Sequence, residues 1–148
     1  MDVFGSTRSR VARNYALLTP DTHVPSPLIG WENATGFFHI TPEMGARFQW
    51  YTAVLAASAK SAPPHASVER FIFVQKGNPS LQVHTKIDLK PGSYAFLPAG
   101  TKHTITATAA SKLIVIEKKH VPLASAAKLA VIGGHGGGVE AQPVLGGE

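Results

Sequence analysis

The sequence predicts an all-β fold, a sandwich or barrel of short strands. Two observations carry this. The apolar runs are short and rich in Val, Ile, Phe, Tyr and Thr, and clusters of Gly and Pro separate them, a pattern of half-buried strands joined by tight turns. At 148 residues the chain is one domain, long enough to bury roughly two-thirds of the surface that its unfolded form exposes.

Seven strands are expected in order: Thr35 to Ile40, Arg47 to Leu55, Arg70 to Gln75, Leu81 to His84, Ser93 to Leu97, His103 to Ala107 and Lys112 to Glu117. Between them lie Thr41-Pro-Glu-Met-Gly45, Ala62-Pro-Pro64, Gly77-Asn-Pro79 and Lys90-Pro-Gly92, where proline fixes φ and removes a donor while glycine permits positive φ. Leu81 and Val83 alternate with Gln82 and His84, so that strand has one wet face. Phe71-Ile-Phe-Val74 and Leu113-Ile-Val-Ile116 are apolar on both faces and are expected at the centre of a sheet. Ala53 to Ala62 contains Ala and Lys but follows β-branched and aromatic residues and ends at two prolines, so it reads as a strand running into a loop. After Lys119 an Ala-rich stretch leads to Gly133-Gly-His-Gly-Gly-Gly138 and a tail ending Gly146-Gly-Glu148, the composition of a flexible linker. The expected division is therefore an arm and loop over 1–34, a barrel over 35–120 and a linker over 121–148.

Composition excludes several classes of function. There is no cysteine, hence no disulfide, thiolate metal site or Cys nucleophile. The net charge is +5 and the pI near 9.7, but the basic residues are scattered and lack interleaved aromatics, so nucleic acid is not the expected partner. No apolar run approaches the ~18 residues of a membrane span, and the basic stretch Arg8 to Arg13 has no apolar core behind it to make a leader; the chain reads as soluble. No Gly-x-Ser-x-Gly elbow supports nucleophilic catalysis. The glycine tract lacks the Gly-Lys-Ser/Thr of a phosphate loop. Asn33-Ala-Thr35 is formally a glycosylation sequon.

Gly92-Ser-Tyr-Ala-Phe-Leu-Pro98-Ala-Gly100-Thr-Lys-His103 matches G-x5-P-x-G-x2-H and resembles the second sequence motif of the cupins, which implies a double-stranded β-helix, or jelly-roll barrel. Gly92 opens a turn, Pro98 and Gly100 shape a reversal, and the strand delivers His103 to the interior. In metal-binding cupins an upstream motif, H-x-H-x3-E-x6-G, adds two His and one Glu around a divalent ion. Anchored on Gly77, those positions here are Pro64, Ala66 and Arg70. One imidazole does not hold a divalent ion against water, so His103 reads as a vestigial ligand. A shift by one residue would offer His65 and Glu69, but along a strand that shift turns both side chains away from His103. The neighbouring Glu69 and Arg70 read as surface or inter-domain ion-pairing residues, and His39, in an apolar strand, as a satisfied core or cavity residue. His23, His84, His120 and His135 are assigned to loops or wet faces, without metal spacing. No catalytic, cofactor-binding or confident metal residue is assigned.

A narrower likeness rests on Asn14-Tyr-Ala-Leu-Leu-Thr-Pro-Asp21, Ser26-Pro27, Thr41-Pro-Glu-Met-Gly45, Glu69-Arg-Phe-Ile-Phe-Val-Gln-Lys-Gly77, Ser93-Tyr-Ala-Phe-Leu-Pro98 and Glu117-Lys-Lys-His-Val121. Over about residues 11 to 133 the chain resembles the N-terminal cupin of the (S)-ureidoglycine aminohydrolases. The resemblance implies a two-cupin enzyme of purine and allantoin breakdown that releases ammonia from ureidoglycine, giving ureidoglycolate. Its Mn²⁺ would lie in the C-terminal cupin as Lewis acid and template. It implies no cofactor for this half alone, and as partner a second cupin domain or further copies of the chain, with a small-molecule substrate for the whole. Plant members carry secretory signals; Met1 to Val11 shows none. Two functions follow as expectations: a metal-free structural and assembly half of that enzyme, or a stand-alone cupin that binds or interacts without catalysis.

Overall fold

The computed structural model describes residues 7–124 and 128–141; the ends of the arm and of the glycine-rich tail fall outside the described residues. Among the described residues twelve strands run in chain order. They are β1 (Arg10–Val11), β2 (Ala16–Leu17), β3 (Pro25–Pro27), β4 (Trp31–Ile40), β5 (Gln49–Ser61), β6 (Val68–Lys76), β7 (Ser80–Gln82), β8 (Lys86–Asp88), β9 (Ser93–Leu97), β10 (Thr104–Ala107), β11 (Ser111–Lys119) and β12 (Ile132–His135). All seven expected strands are present, Ser93 to Leu97 with the expected ends and the others with shifted ends. All pairings are antiparallel.

The long β5 gives the molecule its barrel shape. Its first half, Gln49 to Leu55, lies between β4 and β11, while Ala59 to Ser61 pairs with β10. Ser58 between them has φ 64°, a left-handed residue that bends the strand from one sheet into the other. The larger sheet runs β12-β9-β6-β11-β5, continued by β4 and β3; the smaller runs β5-β10-β7-β8. Two facing antiparallel sheets joined by bent strands make the jelly roll. β6 and β11 are central, as their doubly apolar sequences require.

The core is the set of side chains that alternate inward from both sheets: Tyr51, Ala53 and Leu55, Ile72 and Val74, Ala95 and Leu97, Leu113 and Val115, against Ala59, Leu81, Ile105 and Ala107. Two middle rungs of the larger sheet's outward set are also apolar. One rung reads Ile132, Phe96, Phe71, Ile116, Trp50, Ile40, and the next Gly134, Tyr94, Phe73, Ile114, Thr52, Phe37. All their side chains longer than threonine remain partly exposed.

The structure corrects the sequence reading at both ends of the barrel. The barrel begins before residue 35, because β3 and the first turn of β4 already belong to the sheet. The expected linker is ordered in part: β12 pairs with β9, placing Ile132 opposite Phe96 and His135 opposite Ser93. Glycine makes this docking possible. Gly92 has φ 88°, and a Cβ there would lie 2.8 Å from the His135 ring, whose Nε2–H donates to the Pro91 carbonyl (2.9 Å). A glycine-rich tract thus covers an edge strand that would otherwise present unpaired backbone groups. The 3₁₀ turn at Gly136–Gly138 follows.

Candidate functional site

The second motif folds as its residues dictate. Gly100 has φ 80° and the Thr101 N–H donates to the Pro98 carbonyl (3.1 Å), a reversal that only glycine adopts without strain at that position. The chain then enters the barrel with His103, just before β10 rather than within it. His103 is buried, 5% exposed.

Antiparallel register assembles the rest. Arg70 of β6 is the cross-strand partner of Glu117 on β11, and Glu117 in turn of Gln49 on β5, so one inward rung at the mouth of the barrel is polar. Arg70 and Glu117 are 3% and 8% exposed. The Arg70 Nε and Nη2 both donate to Glu117 Oε1 at 2.7 Å. Its Nη1 donates to Ser61 Oγ (3.1 Å), the Ala62 carbonyl (3.1 Å) and His103 Nε2 (3.0 Å). Glu117 also accepts from the Tyr51 hydroxyl (3.1 Å) and, through Oε2, from the Gln49 amide. The guanidinium lies against the Trp31 ring, 5.4 Å from its centroid, a cation–π contact. Among the described residues no buried side-chain polar atom lacks a partner.

This geometry fixes protonation states. Arginine can only donate, so His103 must accept at Nε2 and carry its proton on Nδ1, which donates to the Thr101 carbonyl (2.8 Å). Burial holds the His103 imidazole below its ordinary pKa, and the Arg70 charge adds to that, while the Thr101 bond and Glu117 oppose it. Burial, reinforced by the Glu117 charge, raises the Tyr51 phenol. The site is thus one fixed cation, one fixed anion and two neutral groups.

A divalent ion does not fit here. The position where a metal cupin places its carboxylate ligand holds the Arg70 guanidinium, and the two upstream positions are Pro64 and Ala66. Among the described residues no three His, Asp or Glu side chains form a metal-binding group. The other candidates do not join the Arg70–Glu117 pair. His65 is exposed and bonds Ser67. Glu69 faces the opposite way from Arg70 and pairs with His120 across the sheet (3.0 Å). Arg70 is not the surface or inter-domain ion-pairing residue that its neighbour suggested, because strand alternation separates the two. His39 also departs from expectation: it bonds the outward-facing Thr52 (2.8 Å) and packs against His23 and Trp50, half-buried on the outer face. Sequence reasoning passed over Glu117, Tyr51 and Gln49. The available signal was a carboxylate in phase with the buried residues of Leu113-Ile-Val-Ile116.

Comparison with known proteins agrees with this architecture. Residues 51–117 match the family model of the cupin domain. The chain is 39% identical over 127 residues to a probable (S)-ureidoglycine aminohydrolase of Oryza sativa subsp. japonica, covering 82% of this chain and 40% of that protein. It is 34% identical over 146 residues to the (S)-ureidoglycine aminohydrolase of Arabidopsis thaliana, covering 97% and 48%. The chain belongs to the (S)-ureidoglycine aminohydrolase family. It spans about half the length of these curated relatives. The crystal structure of the E. coli protein Ylba superposes on it with a TM-score of 0.82 at 26% identity, covering 91% of this chain and 58% of that one. In this family member the barrel mouth carries a buried arginine–carboxylate pair.

Two predictions follow from the network. Arg70→Met leaves Glu117 buried without a counter-charge and should cost about 3–5 kcal/mol of unfolding free energy in urea titrations, whereas Arg70→Met with Glu117→Met should recover most of it. The second concerns pH. His103 is held below its ordinary value of 6.5, so the unfolded chain takes up that proton first as pH falls. Its contribution to stability is therefore complete above 6.5, is lost as pH falls through 6.5 toward the folded value, and levels off below it. The melting temperature should fall on acidification over that window, and less steeply in His103→Gln.

Proposed function

We propose that this chain is the metal-free structural and assembly cupin of a ureidoglycine aminohydrolase, corresponding to the N-terminal half of the two-cupin enzyme, with the Mn²⁺ chemistry carried by a second cupin. The single observation behind this is the Arg70 guanidinium at the metal-ligand position, bonded to both Glu117 and His103. A cation built into the chain leaves neither an open coordination position nor a carboxylate free to act as a base. The likeness to aminohydrolases of about twice this length supports assigning ammonia release to the whole assembly.

The partner in this reading is another cupin barrel. Six strands about 4.8 Å apart present two apolar rungs without a charged side chain, and an uncharged aromatic face of that width favours a matching face. When the chain is alone, a second copy supplies it, giving a two-fold pair.

Metal analysis and an activity assay test the first part. The purified chain should carry far less than one Mn²⁺ per chain and release no ammonia from ureidoglycine; stoichiometric Mn²⁺ that is lost in His103→Ala, or ammonia release by the chain alone, overturns the reading. Light scattering tests the second. The chain should be dimeric at micromolar concentration, and Trp50→Lys with Ile132→Lys, at the rung positions 36% and 57% exposed, should make it monomeric without altering its circular dichroism; a monomeric parent chain refutes the assembly role of this face.

A further inference from the structure

We propose that the open cleft over the Arg70–Glu117 pair is a binding site for a small organic carboxylate with a planar apolar body. The cleft has a volume of about 670 Å³, within the range of roughly 300–1,000 Å³ in which small-molecule sites fall. Tyr51, Arg70 and Glu117 line it, and their near-complete burial places them at its floor. Trp31, Phe48 and Val68 contribute apolar walls, and Arg47, Lys118 and Lys119 are exposed at its rim.

Charge selects the ligand. Glu117 is the one carboxylate lining the cleft, and the Arg70 guanidinium neutralises it. Among the described residues, Arg47, Lys118 and Lys119 form no ion pair. Arg47 and Lys119 therefore bring two uncompensated cations to a concavity with apolar walls, Lys118 alternating to the outer side opposite Glu69, and the low-dielectric surroundings focus their field and concentrate anions. An amine is repelled from such a site. A bare inorganic anion finds the charge but wastes the aromatic surface of Trp31 and Phe48, whereas a neutral aromatic amide finds the walls but not the charge. A carboxylate on a flat apolar body satisfies both, stacking on the aromatic wall with its anionic end toward Arg47 and Lys119.

The inference goes beyond the assembly role and is independent of it, since the cleft opens at the barrel mouth and the proposed dimer face is the outer side of the larger sheet. The chain contains two tryptophans, so Trp50→Phe leaves Trp31 as the sole indole and its N–H resonance as a reporter in the cleft. Titration of that variant at neutral pH with benzoate, benzamide and acetate as probes should give a saturable shift for benzoate, with benzamide and acetate at least tenfold weaker. Adding Arg47→Ala and Lys119→Ala should weaken benzoate two- to fivefold per cation, about tenfold together, and leave benzamide unchanged; both residues are exposed, so the fold is retained. Benzamide binding as tightly as benzoate, benzoate affinity unmoved by the double substitution, or no saturable shift up to the solubility limit overturns the proposal. A monomeric parent chain with benzoate binding intact would refute the assembly reading alone.

Discussion

The pairing of Arg70 with Glu117 is the constraint on which the mouth of this barrel depends. Neither charge is tolerable alone at that depth, because removal from water costs several kcal/mol per ion after relaxation. Their mutual attraction offsets this only with every remaining donor and acceptor engaged. The surrounding residues fulfil that condition: Ser61, Ala62 and His103 take the second arm of the guanidinium, and Gln49 and Tyr51 complete the carboxylate. These groups come from four separate segments, so the network ties β5, β6, β11 and the approach to β10 together at one end. The other end of the barrel is held by ordinary apolar packing.

A metal ion and an arginine solve the same electrostatic problem in different ways. Both place a positive charge between an imidazole and a carboxylate. An ion leaves coordination positions open and exchanges its ligands, which is what makes it a Lewis acid. A guanidinium is tethered, saturated by its acceptors and unable to give up a proton near neutral pH. On the proposed reading, a guanidinium at this position keeps the structural role of a metal site without the reactive one. His103 illustrates the difference, since its lone pair, which a metal would have taken, is spent on an N–H of Arg70.

Much of the fold was legible in the sequence because strand alternation and Gly/Pro punctuation are local signals. The seven main strands, the central place of β6 and β11 and the inward delivery of His103 all rest on such signals. The short strands β1, β2, β3 and β8 were not, since two or three residues carry no periodicity and Pro25 and Pro27 argue against a ladder. β12 was missed for a different reason. A glycine-rich segment has few side chains to bury and no apolar periodicity, and β12 is held by its backbone pairing with β9 and by the His135 ring seated over Gly92. The site was half legible: spacing from Gly77 named Arg70, but its partner lies 47 residues away and only the register of two strands reveals it. Reading Arg70 with its neighbour Glu69 failed because adjacent residues on a strand face opposite sides.

That same alternation links the two faces of the larger sheet. Arg70 and Glu117 point inward, and the residues beside them, Phe71 and Ile116, are paired on the first outer rung. A barrel packed on that rung would restrict the two central strands at the positions that hold the guanidinium and the carboxylate in register. Covering Phe71 and Ile116 would also remove water from one side of the strands carrying the buried pair, strengthening its electrostatics. A sheet with apolar side chains on both faces is unusual for a single-layer wall, where one side normally meets water in polar residues. On the proposed assembly role, the departure from alternation in β6 and β11 answers two demands on the same nine-residue strands, an interior to fill and an outer partner to meet.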